Sequence, residues 1–287
     1  MIDTSSGIAA SVGWGVADFL GGAASRRIAV LRVLIWSQLL GGVLATSLSL
    51  ILFGVPQHSW ILLGAIGGLC GGIGIIAFYM ALSRAPMGIV APISACSGIV
   101  LVTVALIRGE SPGTLALVGA GIALLGIVLV AHGEHGVVDE STLHFDRVAL
   151  ICSLLAVFGF GGALAMLDIA SGTGGIGQSI WSSVGLRYGS LIVIALAAAV
   201  SRTPVPFPPR DTAWALIGVG VCEVAANAAF AIGAAHGNLA VVSMVSSTYP
   251  LTTALLARVV FGERLTIDQI RGASCIVVGG ILMSIPA

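Results

Sequence analysis

Ten stretches of about 20 mainly apolar residues follow one another along this chain. They fall at roughly 6–23, 30–53, 59–83, 88–107, 113–132, 146–168, 176–200, 212–235, 238–260 and 266–285. A helix needs about 20 such residues to cross the hydrocarbon of a bilayer. There, every backbone N–H and C=O has to be satisfied inside the protein, which a continuous apolar run does by forming helix. Composition points the same way: 57% of the 287 residues are hydrophobic and only 8% are charged. A water-facing domain carries about 25% charged residues, so this chain cannot cover a soluble surface. The expected fold is an all-α integral membrane protein with ten transmembrane helices. It is expected to be multi-pass, with the lipid bilayer as its solvent.

The same counts exclude several classes. Net charge is zero and all twelve basic residues are arginine, so no electrostatic footprint for nucleic acid is present. The five cysteines, Cys70, Cys96, Cys152, Cys222 and Cys275, lie scattered in apolar runs without a CxxC pair. They read as packing thiols rather than as a disulfide framework or zinc site. The first residues include Asp3 but no Lys or Arg, so the first apolar stretch is expected to be retained rather than cleaved as a signal. No HExxH, Ser-His constellation or cofactor signature is found within the apolar stretches, and the glycines of the third stretch fit neither GxxxxGK nor GxGxxG; no catalytic residue, cofactor or metal is expected. His132, Glu134 and His135 have ligand-like spacing but sit in a linker, and a metal site is not assigned to them.

That linker, about Gly133 to Phe145, is the one long charged connection, carrying Glu134, His135, Asp139, Glu140 and His144. It divides the chain into halves, 1–136 and 137–287, of five apolar stretches each. The halves resemble each other. An offset of 153 lays GIALLGIVLV on SCIVVGGILM, Gly109-Glu110 on Gly262-Glu263, and Gly126 on Gly279. Earlier in each half, an offset of about 145 lays Ile35-Trp36-Ser37 on Ile180-Trp181-Ser182. Gly13-Trp14-Gly15 likewise resembles Gly159-Phe160-Gly161. With an odd number of spans per half, the second must lie inverted relative to the first. Inverted repeats of this kind are the architecture of secondary transporters, because two such halves can exchange conformations.

Two turns are especially alike: LIRGESPG, Leu106 to Gly113, and VVFGERLT, Val259 to Thr266. Each follows an apolar helix and precedes a glycine-rich one. Before them come ALSRAPMGIVAPIS and AAHGNLAVVSMVSSTYP, and the first stretch carries Trp14-Gly15. Together these resemble the EamA family of the drug/metabolite transporter superfamily, over nearly the whole chain and in both repeats. The resemblance implies a ten-helix inner-membrane carrier of small metabolites or drugs, commonly directed outward. In the turns themselves, glycine ends a helix in a left-handed conformation. The following glutamate is expected to meet the positive end of the next helix. A direct transport role for Glu110 and Glu263 is the alternative.

Deeper in the stretches lie Asp18, Arg187, and the pair Glu223 and Asn227 one helical turn apart. A charge at mid-membrane costs about 2.5–3.5 kcal/mol on insertion scales, so it needs compensation. One reading is a fixed ion pair of Arg187 with Glu223 or Asp18. The other is a cavity lining that exchanges substrate or protons. The candidate polar lining is Asp18, Arg187, Glu223 and Asn227, with Trp14 and Tyr249 as apolar walls. Glu223 is expected to take up a proton as substrate leaves. Trp36, Tyr79 and Trp181 can wall a cavity, or more commonly serve as interface anchors or core residues. Pro92 and Pro250 interrupt the fourth and ninth stretches, either as packing kinks or as the broken helices of a transporter site. Gly64, Gly68 and Gly72 make a smooth groove for close helix contact.

Arginines cluster at one end of the spans: Arg26, Arg27, Arg32, Arg84, Arg147, Arg202, Arg210 and Arg264, with only Arg108 at the end of the termini. The positive-inside rule then places both termini outside, whereas many relatives implied by the resemblance are assigned cytoplasmic termini. The function expected is an alternating-access secondary carrier of a small-molecule substrate, exporting and proton-coupled, as a monomer or homodimer. A channel or a structural membrane subunit is the competing reading.

Overall fold

Each of the ten apolar stretches is helical in the computed structural model, which describes residues 2–56, 58–109, 113–132, 145–171, 175–236, 239–283 and 285. Glu110 of the first Gly-Glu turn, the charged linker residues Glu134 to His144, and the His132, Glu134, His135 spacing that rests on them lie outside the described residues. The helices are α1 (Ile2–Ser25), α2 (Val30–Phe53), α3 (His58–Arg84), α4 (Met87–Ala95), α5 (Gly98–Ile107) and α6 (Thr114–His132). They continue with α7 (Arg147–Ser171), α8 (Gly175–Val200), α9 (Arg210–His236), α10 (Leu239–Ser246), α11 (Tyr249–Phe261) and α12 (Ile267–Met283). No strand occurs among the described residues.

Six segments are long and apolar enough to cross a membrane: Val30–Phe53, Ser59–Arg84, Met87–Val104, Arg147–Leu167, Gly175–Val200 and Arg210–Gly233. Thr114–Leu129 and Tyr249–Phe261 are shorter apolar helices. Their outer faces carry residues such as Ile51, Leu196, Leu255 and Val259 turned away from the protein. A surface of this kind is stable in lipid and not in water. The chain is therefore a multi-pass membrane protein.

Two of the ten stretches are broken. α4 and α5 share the fourth, separated at Cys96-Ser97; α10 and α11 share the ninth, separated at Ser247-Thr248. Both breaks tighten into i to i+3 bonding. Cys96 N–H donates to Ile93 O at 3.0 Å, and Thr248 N–H donates to Val245 O at 3.2 Å. The prolines stand differently from expectation. Pro92 lies inside α4, one turn before its break, whereas Pro250 opens α11 just after its own. A proline is tolerated in the first turn of a helix, where its missing N–H is not needed. The breaks thus correspond between halves more closely than the prolines do.

Without a hydrophobic gain between helices in lipid, close van der Waals approach decides packing. α3 lies along α8 and α7, α1 along α9, α10 and α11, α2 along α8 and α9, and α6 along α12. The Gly64, Gly68, Gly72 groove is buried on α8. A Cβ on Gly68 would run into the carbonyl oxygen of Leu186, and Gly189 is equally close to the carbonyl of Ala65. The five cysteines are free thiols, with Cys96 and Cys152 buried.

The second Gly-Glu turn departs from expectation in an informative way. Gly262 does end α11 in the left-handed conformation, at φ 67°. Glu263, however, does not serve the helix that follows it. Its Oε1 accepts from Arg26 Nη2 at 2.7 Å, and its Oε2 accepts from Gly88 N–H at 3.4 Å, in the first turn of α4. The left-handed turn directs the carboxylate back across the bundle rather than along the chain. α12 is instead started by Thr266 and Gln269, which bond each other's backbone N–H at 3.3 and 2.9 Å. That is the reciprocal arrangement of a capping box.

Candidate functional site

Glu223 and Asn227 project from the same face of α9, as their spacing requires, towards helices of both halves of the chain. Arg187, on α8, donates from Nη1 to Glu223 Oε2 at 2.9 Å and to Gln38 Oε1 at 3.0 Å. The Arg187 side chain is 7% exposed and that of Glu223 23%, so the pair has one buried and one partly open member. α2 makes room for the guanidinium at Gly41, where a Cβ would sit 2.6 Å from Arg187 Nη1. Asn227 fixes a second contact across the halves: its Oδ1 accepts from Trp14 Nε1 at 3.0 Å. Trp14 then stands edge-on to Tyr249, with ring centroids 6.3 Å apart, and 5.7 Å from Phe230.

All six sequence-selected residues, Trp14, Asp18, Arg187, Glu223, Asn227 and Tyr249, line one cavity of about 320 Å³. That volume is at the lower end of small-molecule sites. Asp18 shares the cavity with Glu223. It makes no hydrogen bond or ion pair among the described residues. A second, mostly apolar cavity of about 500 Å³ shares Trp14, Ser97, Leu164 and Tyr249 with the first. It runs past Leu101 and Val102 of α5 towards Met283 and Ile285 at the end of the chain. Both helix breaks contribute to its wall through Ser97 and Ser247.

At the opposite end, arginines link neighbouring segments. Besides Glu263, Arg26 binds Leu82 O and Ala85 O, each at 3.2 Å, and lies 4.7 Å over the ring of Phe261. Arg32 bonds Pro206 O at 3.0 Å, and Trp36 bonds the same carbonyl at 3.1 Å. The loop before α9 is thereby fastened onto α2.

Sequence reasoning missed Gln38, which completes the Arg187 contacts; its one signal is an amide within an apolar stretch. It also missed Ser183 and Ser190, which line the cavity. Of the three ambiguous aromatics, Tyr79 lines the cavity, its ring against Gly21 of α1. Trp36 anchors the loop, and Trp181 is buried with no hydrogen-bond partner for its Nε1 among the described residues. Among the described residues no cluster of three His, Cys, Asp or Glu could hold a metal.

A bundle of apolar helices around a charged, aromatic-walled cavity defines a multi-pass membrane protein with a polar chamber among its helices. The EamA-like transporter family matches this chain twice, over residues 4–131 and 147–285. The chain belongs to that family, within the drug/metabolite transporter superfamily. No curated protein matches it. Among 15 matching chains of solved structures, one described only as the crystal structure of a protein superposes with a TM-score of 0.63. It is 18% identical, and the match covers 98% of this chain and 95% of that one; the likeness concerns the fold.

Proposed function

We propose that this protein is a secondary active transporter that moves a small organic solute across the inner membrane by alternating access, in the direction of export. The observation that carries the reading is the 320 Å³ cavity, walled by α1, α2 and α3 from the first half and by α7, α8, α9 and α11 from the second. A site shared by two movable bodies is one that their relative motion can open to either side.

Packing supports ten spans in two inverted halves, 1–136 and 137–287. Exchanging the halves turns the α3 to α7 contact into α9 to α1, and the α3 to α8 contact into α9 to α2; all four are present. The α6 to α12 contact maps onto itself. In this conformation the arginine-rich end is closed and the cavities lead to the end of the termini. By the positive-inside rule the closed end is cytoplasmic.

The Arg187, Glu223 and Gln38 contacts join the halves at the cavity. In the proposed cycle, Glu223 exchanges Arg187 for a proton as substrate leaves. The test compares metabolites released by cells carrying wild type, Glu223→Gln or no protein, at matched membrane levels. A compound released by wild type and not by Glu223→Gln is expected. Equal release by both proteins would remove Glu223 from the cycle. Proton-independent transport by wild type in a pH-gradient assay would remove the coupling. If wild type releases nothing beyond the empty strain, export is the wrong direction.

A further inference from the structure

We propose that the cavity selects organic cations, taking a protonated or quaternary amine against the carboxylate of Asp18, with Trp14 and Tyr249 as the flanking rings. This deepens the transport reading and rests on it only for the cavity being a substrate site. The charged residues lining the cavity are Asp18, Arg187 and Glu223, two acidic and one basic. Arg187 already has its counter-charge, since Glu223 accepts from it at 2.9 Å while Gln38 takes the same nitrogen. Asp18 does not: it makes no hydrogen bond or ion pair among the described residues, and the other acidic group of the cavity, Glu223, is taken by Arg187. A carboxylate in an apolar bundle without a partner is costly; a proton removes that cost by neutralising it, and a ligand cation that displaces the proton removes it as well.

The walls fit the same ligand. Trp14 stands one helical turn before Asp18 on α1, and its indole is held in orientation by Asn227 at 3.0 Å. Tyr249 meets it edge-on. Aromatic faces attract cations through their quadrupole, most strongly where water is excluded. The rest of the wall mixes apolar side chains, including Phe78 and Phe160, with the neutral hydroxyls of Ser183 and Ser190; it suits the carbon skeleton of an amine and gives an anion no lining cation besides Arg187, which Glu223 already pairs.

The test measures binding to the purified protein in detergent by calorimetry, using three probes of nearly equal shape: phenylpropylammonium, phenylpropanol and phenylpropanoate. The ammonium is expected to bind about tenfold or more tightly than the alcohol, with the carboxylate weakest. Asp18→Asn should erase the preference, and Asp18→Glu should retain part of it. If Asp18→Asn does not fold, the wild-type ranking alone decides. Equal or tighter binding of phenylpropanoate overturns the proposal, as does a preference that survives Asp18→Asn or the failure of all three to bind. Ammonium binding without flux in proteoliposomes would sink the transport reading and leave this one. Glu223-dependent release of an anionic metabolite, with no ammonium preference, would do the reverse.

Discussion

Arg26 and Glu263, separated by nearly the whole chain, meet at 2.7 Å between Nη2 and Oε1. Their side chains are 15% and 12% exposed, so this is a largely desolvated pair. It ties the end of α1 to the turn after α11, at the arginine-rich end of the bundle. Each partner has further work: Arg26 serves two carbonyls at the end of α3, and Glu263 serves the Gly88 N–H of α4.

Glu263→Ala should therefore cost about 1–3 kcal/mol, because it strands a cation and an orphan helix donor together. Detergent melting curves of the variant should shift downward by several degrees. The charge swap, Arg26→Glu with Glu263→Arg, should fail to rescue it. A glutamate at position 26 would face the carbonyls of Leu82 and Ala85, which need donors. Recovery of the wild-type melting temperature by the swap would show that only net attraction matters here.

The cavity pair should behave differently. Glu223→Ala leaves Arg187 with Gln38 alone, while Arg187→Met leaves Glu223 facing Asp18. Removing both, as Arg187→Met with Glu223→Met, replaces a desolvated ion pair by apolar volume, which is often neutral or stabilising. The double variant should melt above at least one of the singles, a coupling visible in a double-mutant cycle. It should also lose transport. A double variant no more stable than the worse single would mean the pair contributes nothing as a pair.

How much of this was legible in the sequence follows from what each inference depended on. Helix positions were, because length and apolarity are local and lipid leaves the backbone no other option. That Asp18, Arg187, Glu223 and Asn227 line one cavity was, because polar groups inside an apolar bundle converge. Partners were not. Gln38 is one amide among apolar neighbours, and nothing local says it faces α8. By sequence Glu263 points to the next helix, its sequential neighbour; its partners are Arg26, just past α1, and Gly88 of α4, reached through the left-handed Gly262. The TIDQ capping box at Thr266 was local and readable, yet the preceding Gly-Glu pair drew the inference instead. Prolines likewise drew the breaks towards themselves, whereas the breaks follow Ser97 and Thr248.

The capping box gives a purely local prediction. Thr266→Ala removes the hydroxyl that accepts from Gln269 N–H at 3.3 Å, and should cost about 1 kcal/mol. Thr266→Ser, which keeps the acceptor, should cost little. Melting temperatures of the two variants check this; equal losses would show that the methyl group and not the hydroxyl matters.

The glycine groove gives the most discriminating comparison. Gly68 faces the carbonyl oxygen of Leu186, so close that a Cβ forces α3 and α8 apart, and both are backbone with nowhere to yield. Gly121, on α6, has nothing within 4 Å of the same added atom. Both sit inside helices, where alanine is intrinsically better than glycine by about 0.5–1 kcal/mol. Gly121→Ala should then be neutral or slightly stabilising, since only the helix preference acts. Gly68→Ala should lose more than it gains, by about 1–3 kcal/mol, because α3 must shift against a helix that also carries Arg187. The displacement reaches the cavity, so substrate release should fall along with the melting temperature. If Gly68→Ala melts like wild type, α3 and α8 are not packed backbone to backbone, and the placement of Arg187 beside Gln38 loses its support.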